Sequence, residues 1–79
     1  LNNQFNIYPN PCYGEVTITL PESGTYNEII ICNIQGKILN TIQTNSNKLI
    51  LNMGNYSRGI YLIKIISDNK NLVSKIINM

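Results

Sequence analysis

Glu15-Val16-Thr17-Ile18-Thr19-Leu20 alternates without a break: Val16, Ile18 and Leu20 fall on one side, Thr17 and Thr19 on the other. Successive side chains of a pleated strand point to opposite faces, so this pattern predicts a strand with one face on a core and one in water. The run Pro21-Glu22-Ser23-Gly24 then stops it, because proline cannot donate to a ladder and glycine turns freely. The same rhythm recurs on both sides of this stretch. Residues 48–53 place Leu49, Leu51 and Met53 inward. Residues 60–66 set Tyr61, Ile63 and Ile65 on one face, against Ile60, Leu62 and Ile66 flanking Lys64 on the other. Residues 72–78 oppose Leu72, Ser74 and Ile76 to Val73, Lys75 and Ile77. Residues 27–34 are apolar on both faces, which suits a central strand covered on both sides or a sheet interface.

Two further segments complete the set. After the turn Gln35-Gly36-Lys37, residues 38–43 return as the second arm of a hairpin, closed by Thr44-Asn45-Ser46-Asn47. Near the start, Phe5, Ile7 and Tyr8 form a short strand that Pro9-Asn10-Pro11 is expected to end, since neither proline carries an N–H. The loop 54–59 precedes the strand of Tyr61, and Asp68-Asn69-Lys70-Asn71 turns into the last one. Seven short strands at nearly even spacing predict an all-β domain, a two-sheet sandwich or small barrel. Composition agrees: 15 Ile, 5 Thr and 2 Val favour pleated backbone, and alanine, the best helix former, is missing. The 14 Asn suit the turns, where Asn tolerates left-handed geometry.

With 79 residues the chain has room for one domain, read as spanning 1–79 with no internal linker. A formal charge of +2 with 13% charged residues is too weak for an electrostatic hold on nucleic acid. No stretch approaches the roughly 18 apolar residues of a membrane-spanning helix. The start Leu1-Asn2-Asn3-Gln4 shows no Met and no leader, so the chain reads as the end of a longer secreted protein.

The ingredients of catalysis are scarce. Histidine is absent, and the carboxylates Glu15, Glu22, Glu28 and Asp68 lie at turns or strand starts, where solvated charges are expected. Cys12 and Cys32 lack the paired spacing of a zinc or redox site. They form one disulfide or none; without a bridge, Cys32 is a small buried hydrophobe and Cys12 a loop residue. No base accompanies the Ser and Tyr hydroxyls, and the glycines form no phosphate cradle. The expectation is a domain with no enzyme activity, cofactor or metal. Asn55-Tyr56-Ser57 matches an N-glycosylation acceptor, a tripeptide that chance supplies in an Asn-rich chain. Tyr56 reads as a loop plug and Tyr61 as a core residue. Lys64 and Lys75, set among apolar neighbours, lay their stems over the sheet and keep their ammonium groups in water, or else display charge to a partner.

The order of motifs is informative. Asn6-Ile7-Tyr8-Pro9-Asn10-Pro11, Gly14 before an alternating strand, and Asn33-Ile34-Gln35-Gly36-Lys37-Ile38 are followed by Leu51-Asn52-Met53, Arg58-Gly59-Ile60-Tyr61-Leu62-Ile63-Lys64 and a closing Lys75-Ile76-Ile77. In that order, over nearly the whole chain, they resemble the type A C-terminal sorting domain of type IX (Por) secretion cargo in Bacteroidetes. The departures are Cys12, where that family usually has a small or polar residue, and Asn52, where Asp is frequent.

The resemblance implies an immunoglobulin-like antiparallel β-sandwich at the C-terminus of exported proteins. It implies that the secretion machinery recognises the domain in the periplasm and carries the passenger through the outer membrane to the cell surface or medium. A surface sortase commonly removes such domains, and the passenger is joined to anionic lipopolysaccharide or released. Pro9, Asn10, Pro11, Gly36, Gly59, Tyr61 and Lys75 are the motif and candidate recognition residues. Pro9 and Pro11 would fix the entry into the sandwich, Gly36 the hairpin turn and Gly59 the start of the Tyr61 strand. The short terminal strands, 5–8 and 72–78, are expected to leave open edges and favour weak self-association. The competing reading is a carbohydrate- or protein-binding β-sandwich module. Against it stand the absence of Trp and the sparse acids.

Overall fold

Strands dominate because isoleucine-rich runs, alternating with polar residues or apolar on both faces, recur along the chain. A computed structural model of the protein describes residues 5–20, 27–67 and 70–79, the side chain of Lys70 excepted. The turns read at 21–24 and 68–69 lie outside the described residues, as do Glu22 and Asp68. Seven strands follow in order: β1 (Asn6–Tyr13), β2 (Glu15–Thr19), β3 (Asn27–Asn33), β4 (Ile38–Thr44), β5 (Lys48–Asn52), β6 (Gly59–Ser67) and β7 (Lys70–Asn78).

They form two antiparallel sheets, β1-β2-β5 and β4-β3-β6-β7. β1 belongs to both, pairing with β2 through Asn6–Tyr8 and in parallel with β7 at Cys12 and Asn78, so the strands can be followed as one continuous order. This is the layout of an immunoglobulin-like sandwich in which the fourth strand pairs with the third instead of joining the first sheet.

The inward faces meet in a single core. Val16, Ile18 and Leu51 come from one sheet; Ile29, Ile31, Ile63, Ile65 and Ile76 come from the other, with Met53, Tyr61 and Cys12 filling the end. Each such aliphatic side chain contributes roughly 1.5–3 kcal/mol by leaving water. The faces read for residues 15–20, 48–53, 60–66 and 72–78 are those observed, with Leu49 and Leu72 at the margin of the core. Tyr56 packs against the core from its loop, and Tyr61 is buried in β6.

Three readings need correction. The first strand does not end at the prolines: β1 runs to Tyr13, with a shift of register between Tyr8 and Tyr13. Prolines are tolerated there because this is where β1 leaves β2 for β7, so the missing N–H groups remove no rung. Cys12 is therefore a strand residue with no exposed surface, not a loop residue. Ile34, assigned to the third strand, lies beyond it in the turn and is 65% exposed. Both cysteines are free and buried. The terminal strands, expected to present open edges, partly cover one another where β1 meets β7.

Candidate functional site

The ladder places most of the motif residues at one end of the sandwich. Asn33 pairs with Tyr61, Tyr61 with Ile76, Gly59 with Asn78 and Asn78 with Cys12, so the β3–β4 turn, the start of β6, the end of β7 and the second half of β1 share that end. Glu15, opposite Asn52, brings the β5–β6 loop to the same place.

Pro9-Asn10-Pro11 forms the crossing from one sheet to the other. The Tyr8–Pro9 and Asn10–Pro11 peptide bonds are both cis. Between the prolines, the carboxamide of Asn10 does the work of a peptide group: its Nδ2 donates to the Lys75 carbonyl at 3.0 Å and its Oδ1 accepts the Ile77 N–H at 3.0 Å. The Met79 N–H then donates to the Cys12 carbonyl at 2.9 Å. A side chain and a backbone segment together cover the last part of the β7 edge.

The β3–β4 turn is organised by Asn33. Its Oδ1 accepts the N–H groups of Gln35 and Lys37 at 3.0 and 2.9 Å, and its own N–H and C=O bond to Lys37 and Gly36. Gly36 sits at φ +90°, in open space where an added Cβ would meet nothing within 4 Å. The backbone conformation, not crowding, selects glycine there.

Between β5 and β6 the chain makes a compact loop. Asn52 Oδ1 accepts the Gly54 N–H at 2.8 Å, Met53 is fully buried, and its N–H donates to the Gly14 carbonyl. The Tyr61 hydroxyl reaches back to donate to the Ser57 carbonyl at 2.6 Å, the arrangement of a tyrosine corner, while its ring tilts against Tyr56 at 5.7 Å. Gly59, with φ +150°, lets the chain enter β6 beside Asn78.

Asn78 ties these parts together. Its Nδ2 faces the carbonyls of Met53, Tyr56 and Ser57 at 2.9, 3.2 and 3.3 Å, and its Oδ1 accepts from the Cys12 thiol at 3.6 Å. The last strand is thus clasped to the β5–β6 loop and to β1 through one buried amide. Sequence reading did not single out Asn78. The signal was its register: it continues the inward series Leu72, Ser74, Ile76, where a polar residue needs internal partners.

Of the residues singled out, Asn10, Pro9, Pro11, Gly59 and Tyr61 are brought together with the backbone of Lys75, whose side chain is exposed. Gly36 lies in the neighbouring turn. Among the described residues, no three His, Cys, Asp or Glu side chains gather where a metal ion would be held, and no helix is long and apolar enough to cross a membrane. What this end offers is a fixed backbone shape.

The comparisons with known proteins fit this geometry. The model of a family described as "Secretion system C-terminal sorting domain" matches residues 6–79, from the first residue of β1 past the last of β7. No curated protein matches the chain.

Proposed function

Because the chain belongs to the secretion system C-terminal sorting domain family of type IX secretion, which is a family of sorting signals and not of enzymes, we propose that it acts as a folded export signal. In this reading the domain folds in the periplasm, is recognised there as a shaped β-sandwich, and leads its passenger across the outer membrane. A surface sortase then separates it from the passenger, which is joined to anionic lipopolysaccharide or released. Pro9, Asn10, Pro11, Gly36, Gly59 and Tyr61 serve by building the end of the sandwich, and Lys75 by displaying charge beside it.

The observation that carries this reading is the match over residues 6–79, which takes in every strand. An unfolded tail would need only a short motif. Here the motifs are joined by bonds between β1 and β7 and between β7 and the β5–β6 loop. For the carbohydrate-binding alternative, Tyr56 and Tyr61 pack inward, which leaves Tyr8 and Tyr13 as the exposed rings among the described residues, with no cluster of acids to hold a metal ion beside them.

The test is a periplasmic reporter joined before Leu1 and produced in a type IX secreting host. Mass spectrometry of the surface-exposed reporter is expected to find it without residues 6–79, and to find it intact when the sortase is deleted. A surface reporter that keeps the whole domain in the presence of the sortase refutes the removal step.

A further inference from the structure

Apart from the Lys75 ammonium, which is exposed, the side-chain polar groups of the motif residues are used inside the fold. The outer face of the β4-β3-β6-β7 sheet has the opposite character. Since Tyr61, Ile63 and Ile65 point into the core, Ile60, Leu62, Lys64 and Ile66 point outward, and since Ile76 points in, Val73, Lys75 and Ile77 point out. The outer face of an antiparallel sandwich sheet is ordinarily polar. On β6 and β7 this one is mainly aliphatic, with Val73 58% and Ile60 42% exposed although burying neither is needed to complete the core, while the β3–β4 half carries Glu28, Thr41 and Gln43. Next to it, Ile60 and Ile77 continue into an open groove of about 510 Å³ at the motif end, shared with Arg58 and Tyr13.

Two cations stand within this apolar field. Lys64 is paired with Val73 and Lys75 with Leu62, so the two lie on neighbouring strands, diagonally, on one face. Glu28, opposite Ile66, is on the same face and lies diagonal to Lys64 across β3, so Lys75 is the cation with no carboxylate diagonal to it among the described residues of β6 and β3. We propose that this face is the docking surface of the sorting domain, and that its occupant is a protein surface with an apolar centre and carboxylates placed over Lys64 and Lys75. The proposal rests on the sorting reading and locates its partner contact.

Charge selects this occupant over the alternatives. A second copy meeting face to face would offer one carboxylate of this face, Glu28, to the two lysines, leaving an excess of like charge across the interface. A lipid surface is a poorer match: anionic membranes are held by clusters of about 4–8 cations, and interfacial segments insert aromatic side chains. The described outer residues of β6 and β7 supply two lysines and no aromatic ring, and the adjoining groove adds one cation, Arg58, and one ring, Tyr13, short of such a cluster. A flat, rigid apolar sheet with a few fixed charges is what a protein partner can complement.

The test uses the reporter joined to residues 1–79 in the secreting host, in four forms: wild type, Lys64→Glu with Lys75→Glu, Lys64→Arg with Lys75→Arg, and Val73→Ser. Thermal melting is followed in parallel, so that loss of fold is separated from loss of docking. The charge reversal is expected to lower surface reporter about tenfold or more while melting near the wild type, the arginine pair to keep it, and Val73→Ser to fall between. Normal export by the folded charge reversal overturns the proposal while leaving the sorting function intact; failure of the wild type to be exported would instead refute the sorting reading itself. Binding of the wild-type fusion to phosphatidylglycerol vesicles, lost on charge reversal, would assign the face to lipid and also overturn the proposal.

Discussion

Replacing Asn78 by Ala removes the amide that joins the last strand to the rest of the motif end. Two N–H donors are lost from the carbonyls of Met53, Tyr56 and Ser57, and the Cys12 thiol loses its acceptor. Ser57 keeps the Tyr61 hydroxyl and the Met53 carbonyl keeps the Tyr56 N–H, so the loss falls mainly on the carbonyl of half-buried Tyr56 and on the direct tie between β7 and the loop. Two net hydrogen bonds at about 0.5–1.5 kcal/mol each put the cost near about 2 kcal/mol. For a domain of this size that corresponds to a fall in Tm of roughly 8–16 °C. Asn78→Asp is expected to be at least as damaging at neutral pH, because it turns an acceptor toward three carbonyl oxygens in a buried place. Burial and those oxygens raise the folded pKa of the introduced carboxyl above its unfolded value of about 3.9. Its penalty therefore grows as pH rises through that unfolded value and fades at lower pH, where both states are protonated. Melting followed by circular dichroism between about pH 3.5 and 7.5 measures both effects, each variant read against the wild type at the same pH. An Asn78→Ala domain melting within about 2 °C of the wild type, or an Asn78→Asp deficit that does not change with pH, would refute the clasp.

Other substitutions test other parts of the account. Ile76→Asp places a carboxylate in the fully buried register of β7 and is expected to cost several kcal/mol out of a total of about 5–15, seen as loss of the cooperative melt. Gly36→Ala meets no atoms but must hold φ near +90°, so it should cost about 1–2 kcal/mol, with Gly36→Asn losing less; equal melting of all three forms would contradict the turn geometry. Cys12 and Cys32 are free and without exposed surface, so a thiol reagent should titrate none in the native domain and both after denaturation. Reaction before unfolding would contradict their burial.

The strands with one buried face were legible because burial of alternate residues is a local property of the pleat. Glu15 to Thr19, the inward series of Leu51 and Met53, and that of Tyr61, Ile63 and Ile65 needed no knowledge of their partners. The double-sided apolar character of residues 27–34 marked β3 as an interior strand, which it is, between β4 and β6. The path of β1 was not legible. Whether Pro9 and Pro11 end a strand or redirect it depends on a partner 67 residues away, the Ile77 N–H that Asn10 accepts. The burial of Cys12 follows from the same long-range contact. Asn33 and Asn78 look alike in sequence to the other asparagines. One organises its own turn and the other a distant loop, and only the register of Asn78 distinguishes them in advance.

The most direct test of the central claim is where a reporter goes. A monomeric periplasmic protein carrying residues 1–79 at its C-terminus is produced in a type IX secreting strain and in the same strain lacking one outer-membrane component of that machinery. Protease accessibility and fractionation then measure the share at the surface or in the medium. The account predicts that most of the reporter is outside in the first strain and held in the periplasm in the second, with the reporter lacking residues 1–79 periplasmic in both. Equal distribution in the two strains would contradict it.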